Sequence, residues 1–315
     1  MSTDIYTELQ SGHSFTSREV PWLKIGKVTD TSLSVRDAIV AGGMDFTVSK
    51  RPLQYRAGDG SWKASTKRYM LTRDGNDDEF EVVSDDYVPV QYVEALSFIE
   101  HADPVVAAAG TLRGGRQGFI VVELPGLNQI NGLAANDPHQ LFGIVRTGHD
   151  RTKAVEYAVM TLRDRCMNML ALKSLTRGAP QRWSFTHTGD VKKRLVEAQQ
   201  SVERTAKYAQ AYARQVDQLM HTPTPIDSGR RILTSVIKDA PRKDDVIEAI
   251  MNLWQHDQTV GFASEGWGLV NAVSSYMQWE RSGGTPESRF IGAMTGSTYQ
   301  RVNRVTDRVL EAAKH

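Results

Sequence analysis

The rhythm of hydrophobic and polar positions changes near Thr188. Before it, apolar residues mostly alternate with polar ones; after it they recur every three or four residues. In the first part, SVRDAIVAGG predicts a short helix with Ser34 as N-cap and Gly42 as the stop. DFTVSKRPLQYR alternates as a strand does, and Gly58-Asp59-Gly60 follows as a turn. KRYMLTRD and EFEVVSDDYVPV predict two further strands joined across residues 75–78, an acidic and therefore solvated connection. VQYVEALSFIEHAD has the helical spacing Val93, Leu96, Ile99. VVAAAGTLRGGRQGFIVVELPG predicts a hairpin turning at residues 113–116. Its return run, Phe119 to Leu124, is apolar on both faces apart from Glu123, as a buried central strand would be. HQLFGIVRTGHD and KAVEYAVMTL form a further antiparallel pair with residues 148–151 at its tip. DRCMNMLALKSLT then predicts a helix whose core stripe is Met167, Leu170 and Leu175.

From Val191 a seam runs through Leu195, Ala198, Val202, Thr205, Ala209, Tyr212, Val216 and Leu219, which predicts one long helix. Alanine and threonine in the seam favour packing on the protein's own body over an intermolecular coil. Thr222-Pro223-Thr224-Pro225 ends it, and SGRRILTSVIKD, KDDVIEAIMNLWQH, GWGLVNAVSSYMQWE and TYQRVNRVTDRVLEAAK predict the remaining helices. The fold class is α+β. An antiparallel, strand-rich N-terminal core with hairpins and packed helices spans residues 1–187, and a mostly helical C-terminal region with one long helix spans 188–315.

Composition narrows the class without naming a reaction. The 315 residues are 40% hydrophobic and 24% charged, as in a soluble globular protein. The single cysteine, Cys166, excludes an internal disulfide or a multi-cysteine metal cluster and suits a reducing cytoplasm. The N-terminus lacks the basic flank and apolar run of a signal peptide, and no apolar stretch reaches the length of a membrane span.

Charge changes the picture more. The whole chain carries +1, yet residues 141–182 hold eight arginines and lysines against three acids. A local basic excess in a nearly neutral protein marks a surface for an anion, commonly a phosphate backbone. The candidate nucleic-acid-binding residues are Arg113, Arg116, Arg146, Arg151, Lys153, Arg163 and Arg165. The competing reading is internal: Arg163 and Arg165 could instead pair with Asp164 or with the acidic hairpin around Asp77 and Asp85, which would consume the patch.

Other motifs favour structural readings. RGGRQG lacks P-loop spacing and precedes a strand, so it reads as a hairpin turn with two outward arginines able to grip a backbone. His149-Asp150 could form half of an acid–base site but has no nearby nucleophile. Cys166 reads as a small core residue. No two histidines have zinc-site spacing on a helix, and Asp77-Asp78 and Asp85-Asp86 read as solvated turns before they read as magnesium ligands. No catalytic residue, metal or cofactor is implied. Trp254, Trp267 and Trp279 read as core, leaving Phe142 and Tyr157 as the aromatics placed to stack on bases.

YVPVQYVEALSFIEHAD, AAGTLRGGRQGFIVVELPG, TLRDRCMNMLALKSL and EGWGLVNAVSSYMQWE, in that order, resemble the phage/plasmid-like protein family, a domain of unknown function. The resemblance runs from about Trp22 to Gly296. An R-x-x-C-x-N-x-L pattern falls on Arg163, Cys166, Asn168 and Leu170. A W-x-x-x-N-A-V pattern falls on Trp267, Asn271, Ala272 and Val273. The resemblance implies a protein of a phage or plasmid working in a bacterial cytoplasm, with no catalytic residues to carry over. The order of strands and helix is also similar, at the level of fold, to Rad52-like single-strand annealing proteins. The function expected is single-stranded DNA binding and annealing in recombination or replication, by a homo-oligomer; a ring would extend the groove from subunit to subunit. The alternative is a non-enzymatic interaction protein that modulates a host complex or host defence.

Overall fold

The alternating N-terminal pattern folds into two antiparallel sheets. The computed structural model describes residues 25, 33–123, 137–151, 155–173, 181–187, 191–238 and 240–314. Helix α1 (Val35–Ala41) starts where Ser34 Oγ accepts the Asp37 N–H at 3.1 Å and ends at Gly42, as its sequence predicts. Gly42 lies so close to the sheet that a Cβ would meet the Ala109–Gly110 backbone at 3.0 Å.

The smaller sheet has the order β1-β2-β3, with β1 at Val48–Arg56, β2 at Trp62–Arg73 and β3 at Glu79–Ser84. Its own small core is Val48, Leu71, Phe80 and Val83. Helix α2 (Tyr92–Leu96) and a 3-10 segment (Ser97–Ala102) lead into the larger sheet. There β4 (Val105–Leu112), β5 (Gln117–Glu123), β6 (His139–Gly148) and β7 (Val155–Arg163) are joined in chain order. Two short strands share the outer edge of β7: β8 (Asn168–Leu170) pairs with its end and β9 (Arg182–Phe185) with its start.

Every residue of β5 and β7 is buried, because both faces of the sheet are covered. Alternation sends Ile120 and Val122 to one apolar cluster and Phe119 and Val121 to the other. The first cluster continues into the helical half. It includes α3 (Val191–Glu203), α4 (Thr205–Met220), α5 (Ile226–Val236), α6 (Lys243–His256), α7 (Gly266–Ser275) and α9 (Ser297–Ala312). The second is closed by Phe290, Ala293 and Met294 of α8 (Pro286–Met294). All ten residues of α7 are buried, and five residues of π-helix (Tyr276–Glu280) follow it.

Two predicted elements differ. The helix predicted over residues 164–176 is instead a turn followed by β8. Met167 takes a left-handed φ of 51°, and the free edge of β7 captures the next residues as a strand. Burial there has a period of two: Met167, Met169 and Ala171 join one cluster and Leu170 and Leu172 the other. Residues 174–176, Leu175 among them, lie outside the described residues. The single long helix predicted from Val191 is two helices, broken at Arg204. Ser201 Oγ donates to the Ala198 carbonyl at 2.6 Å, a back-bond that bends helices, and Thr205 Oγ1 lies 2.7 Å from the Tyr157 hydroxyl. The seam packs on the protein's own body, with Ala198, Val202, Tyr212, Val216 and Leu219 in the main core.

Candidate functional site

Six of the seven basic residues singled out by sequence lie among the described residues, and these six are dispersed. Arg113, at the β4–β5 turn, and Arg151, at the β6–β7 tip, both take left-handed backbone, with φ of 52° and 57°. The two turns touch, since His149 N–H donates to Arg116 O at 2.7 Å. Arg113, Arg116 and Arg151 are therefore exposed together at one end of the larger sheet. Each is tethered: Arg113 to Asp150 at 3.1 Å, Arg116 to Glu79 O at 3.3 Å, and Arg151 to Val82 O at 3.4 Å. Lys153 lies outside the described residues.

Arg146 and Arg163 are 0% exposed and present no charge to a phosphate. Both sides of β6 and β7 face protein, so an inward or an outward side chain is equally enclosed. Arg146 Nη2 reaches Glu156 at 3.4 Å and Thr295 at 3.2 Å, and burial, only partly offset by Glu156, lowers its pKa. Arg163 and Arg165 sit at the opposite end of β7, roughly 25 Å from the tip at strand rise. Arg165 is half-buried and donates to Gln258 O at 3.3 Å. Phe142 and Tyr157, read from sequence as stacking residues, are core residues.

Arg163 anchors a buried polar joint instead. Its Nε donates to Asp137 Oδ1 at 2.6 Å, and its Nη1 donates to the Val260 and Thr259 carbonyls at 2.8 and 3.1 Å. Asp137 Oδ2 also accepts Trp267 Nε1–H at 2.8 Å and lies 3.0 Å from His139 Nε2. Beside it, Asn168 Nδ2 donates to Asn271 O at 3.2 Å and Asn168 Oδ1 accepts from Trp279 at 3.0 Å. The two sequence patterns, Arg163–Cys166–Asn168 and Trp267–Asn271, thus meet in space and fasten α7 to the end of the sheet. Burial works against the Asp137 carboxylate, but the His139 hydrogen bond and the Arg163 charge outweigh it and hold its pKa at about 2. Burial raises the Cys166 thiol despite Arg163, so it stays protonated and unreactive.

His149 and Asp150 are not an acid–base dyad. Asp150 accepts from Arg113 and from Gln117 Nε2 at 2.7 Å, whereas neither ring nitrogen of His149 has a hydrogen-bond partner among the described residues. The His149 ring packs on Phe80, Tyr92 and His187, and Tyr87 stacks on His187 at 5.3 Å. Burial pushes His149 down to about 3 and His187 to about 4, so both are neutral. The acidic pairs are engaged as well: Asp77 with Arg51 at 2.7 Å, Asp85 with Lys50 at 3.8 Å and Asp86 with Ser84. Among the described residues no three histidine, cysteine or acidic side chains are grouped to hold a metal ion.

Among the described residues, the β1–β2 hairpin is an exposed and strongly basic element. Residues 48–73 carry seven arginines and lysines and one acid, Asp59. Its outer half is exposed along both strands, with Tyr55 at 53% and Trp62 at 68%. Pro52 pairs with Tyr69 and Gln54 with Ala64, so β2 bulges across Ser65–Arg68. Ser65 Oγ shapes the bulge by accepting the N–H groups of Lys67 and Arg68 at 3.2 and 3.0 Å. Arg56, Lys67 and Arg68 make no ion pair among the described residues. The clue in the sequence was seven basic residues in 26 with three aromatics among them; alternation alone makes the stretch look like an ordinary half-buried strand.

The family described as "Domain of unknown function (DUF932)" matches residues 79–310, a span that holds the polar joint and begins after β2. No curated protein and no solved structure matches the chain.

Proposed function

The chain belongs to the DUF932 family, and from that premise, which supplies no activity, we propose that it binds single-stranded DNA. The observation that carries this reading is the β1–β2 arm: basic, exposed, and tipped by Tyr55 and Trp62. Arginine and lysine neutralise phosphates and release counterions, while an exposed aromatic face stacks on any base. Arg113, Arg116 and Arg151 offer a second contact at the sheet end, near β3 and so on the side of the small sheet.

Taken with the sequence resemblance to phage/plasmid-like proteins and the fold-level similarity to Rad52-like annealing proteins expected from it, the proposal extends to strand annealing by an oligomer of this chain in a bacterial cytoplasm. No chemical step is required for that activity: a protein that holds two strands with their bases free lets them pair.

Fluorescence anisotropy with a labelled thirty-nucleotide oligo(dT) tests the reading. Binding should weaken as salt rises, and Lys67→Glu with Arg68→Glu should weaken it further and flatten the salt slope. Trp62→Ala should cost about 1–3 kcal/mol of binding through lost stacking. Absence of salt-sensitive binding at 50 mM salt would remove the proposal.

A further inference from the structure

A cleft of about 490 Å³ opens among the α5–α6 connection, α6, the π-helical end of α7 and α9, far in sequence from the arm. This volume lies in the range of small-molecule sites. One wall is apolar, including Val246, Ala249, Ile250, Val273 and Met277; the other carries Arg242, Arg281 and Arg301.

The arginines are the unusual feature. Arg242 pairs with Asp245 at 2.7 Å, but Arg281 and Arg301 make no ion pair among the described residues. Arg301 is half-buried, with its Nη1 3.6 Å from the Met277 sulfur. Burial, and then the charges of Arg281 and Arg304, make its protonated state harder to hold. The one carboxylate lining the cleft, Asp245, is held by Arg242, and crowded cations beyond that pair are costly unless a further anion joins them.

The backbone around the cleft is also special. Arg242 has φ 53° and ψ 44°, a left-handed conformation disfavoured for arginine. Tyr276–Glu280 is π-helical, and the Arg281 N–H donates to Tyr276 O at 2.8 Å across five residues. That wide turn delivers Arg281 to the rim. π-turns and left-handed non-glycine residues both concentrate at functional sites.

We propose that this cleft binds a small organic anion with an apolar body. A carboxylate or phosphate monoester headgroup lies between Arg281 and Arg301, and the hydrocarbon or aromatic body rests on Val246, Ala249, Tyr276 and Met277. Guanidinium forks suit both headgroups. The site shares no residue with the arm, so its failure and that of DNA binding are separate results.

The test uses the full chain and 8-anilinonaphthalene-1-sulfonate, an aromatic sulfonate that fluoresces when sheltered from water. The probe should bind saturably and be displaced by decanoate and by octyl phosphate, and at least tenfold less well by 1-decanol or 1-octanol. Arg281→Gln and Arg301→Gln should each weaken decanoate at least tenfold, with melting temperature and oligonucleotide binding unchanged. Ala249→Trp, which fills the cleft and keeps the arginines, should abolish displacement. Non-saturable probe binding, equal competition by the alcohols, or unchanged decanoate affinity in the folded arginine variants would overturn the proposal.

Discussion

Asp137 accepts from Arg163 and Trp267 and is paired with His139, so removing its carboxylate strands a guanidinium in the interior. Asp137→Ala should therefore destabilise the protein by about 3–5 kcal/mol in urea unfolding, the cost of breaking a buried ion pair by one partner. Glycine gives a second residue-level test. A Cβ on Gly268 would lie 2.1 Å from Phe262 O, a backbone atom that cannot swing aside. Gly268→Ala should cost about 2–3 kcal/mol and loosen α7, seen as earlier thermal unfolding. At this scale sequence shows charge but not direction. Arg146 reads as a binding residue because it is basic and stands beside a hairpin tip. Its neighbours Ile144, Val145 and Thr147 belong to a strand with no solvent side, so it turned inward to Glu156. The Arg163–Asp137 pair was out of reach of spacing alone, because its other partners, Trp267 and the carbonyls of Thr259 and Val260, come from the far end of the chain.

The elements of the larger sheet were legible because alternation and glycine turns agree there: β4 with β5 and β6 with β7 pair as their sequences predict. β8 was not, since Met167 and Leu170 satisfy a helical spacing as well as a strand whose two faces are both apolar. The long seam correctly marks an amphipathic segment; the bend at Arg204 depends on the Ser201 back-bond and on Thr205 meeting Tyr157, which periodicity does not encode. The arm is the converse case, a strand pattern whose outer half has nothing to pack on. Replacing its outer part, residues 53–67, by a two-residue Asn-Gly turn should leave the melting temperature within a few degrees, because the small core of Val48, Leu71, Phe80 and Val83 lies outside the excised segment. The same variant should lose oligonucleotide affinity in the anisotropy assay. Retained affinity would shift the binding to the hairpin ends.

For the whole molecule, charge is segregated and not merely balanced. The chain carries +1 while residues 48–73 carry +6, leaving the remainder at −5. Such a distribution steers an anionic polymer toward the arm and away from the body. Two buried histidines under the junction of the sheets make the fold sensitive to mild acid. Both are held neutral, His149 at about 3 and His187 at about 4, whereas an unfolded chain protonates its histidines near 6.5. Their contribution is complete above pH 6.5 and is lost as pH falls toward 4, by up to about 2 kcal/mol each between pH 7 and pH 5. Urea midpoints at pH 7 and pH 5 should show the drop, and His149→Phe should lessen it. Asp137 adds its own loss only in stronger acid, below about pH 4.

The joint between Arg163 and α7 also sets a timetable for synthesis. Arg163 meets its carbonyl partners 96 and 97 residues downstream, and Asp137 meets Trp267 130 residues downstream. At translation rates of roughly 5–20 residues per second, the finished sheet waits on the order of 5–20 s before the segment that covers its end leaves the ribosome. Through that interval the nascent chain presents a half-covered sheet and an ion pair without its later partners, exposed surface of the kind that chaperones shield.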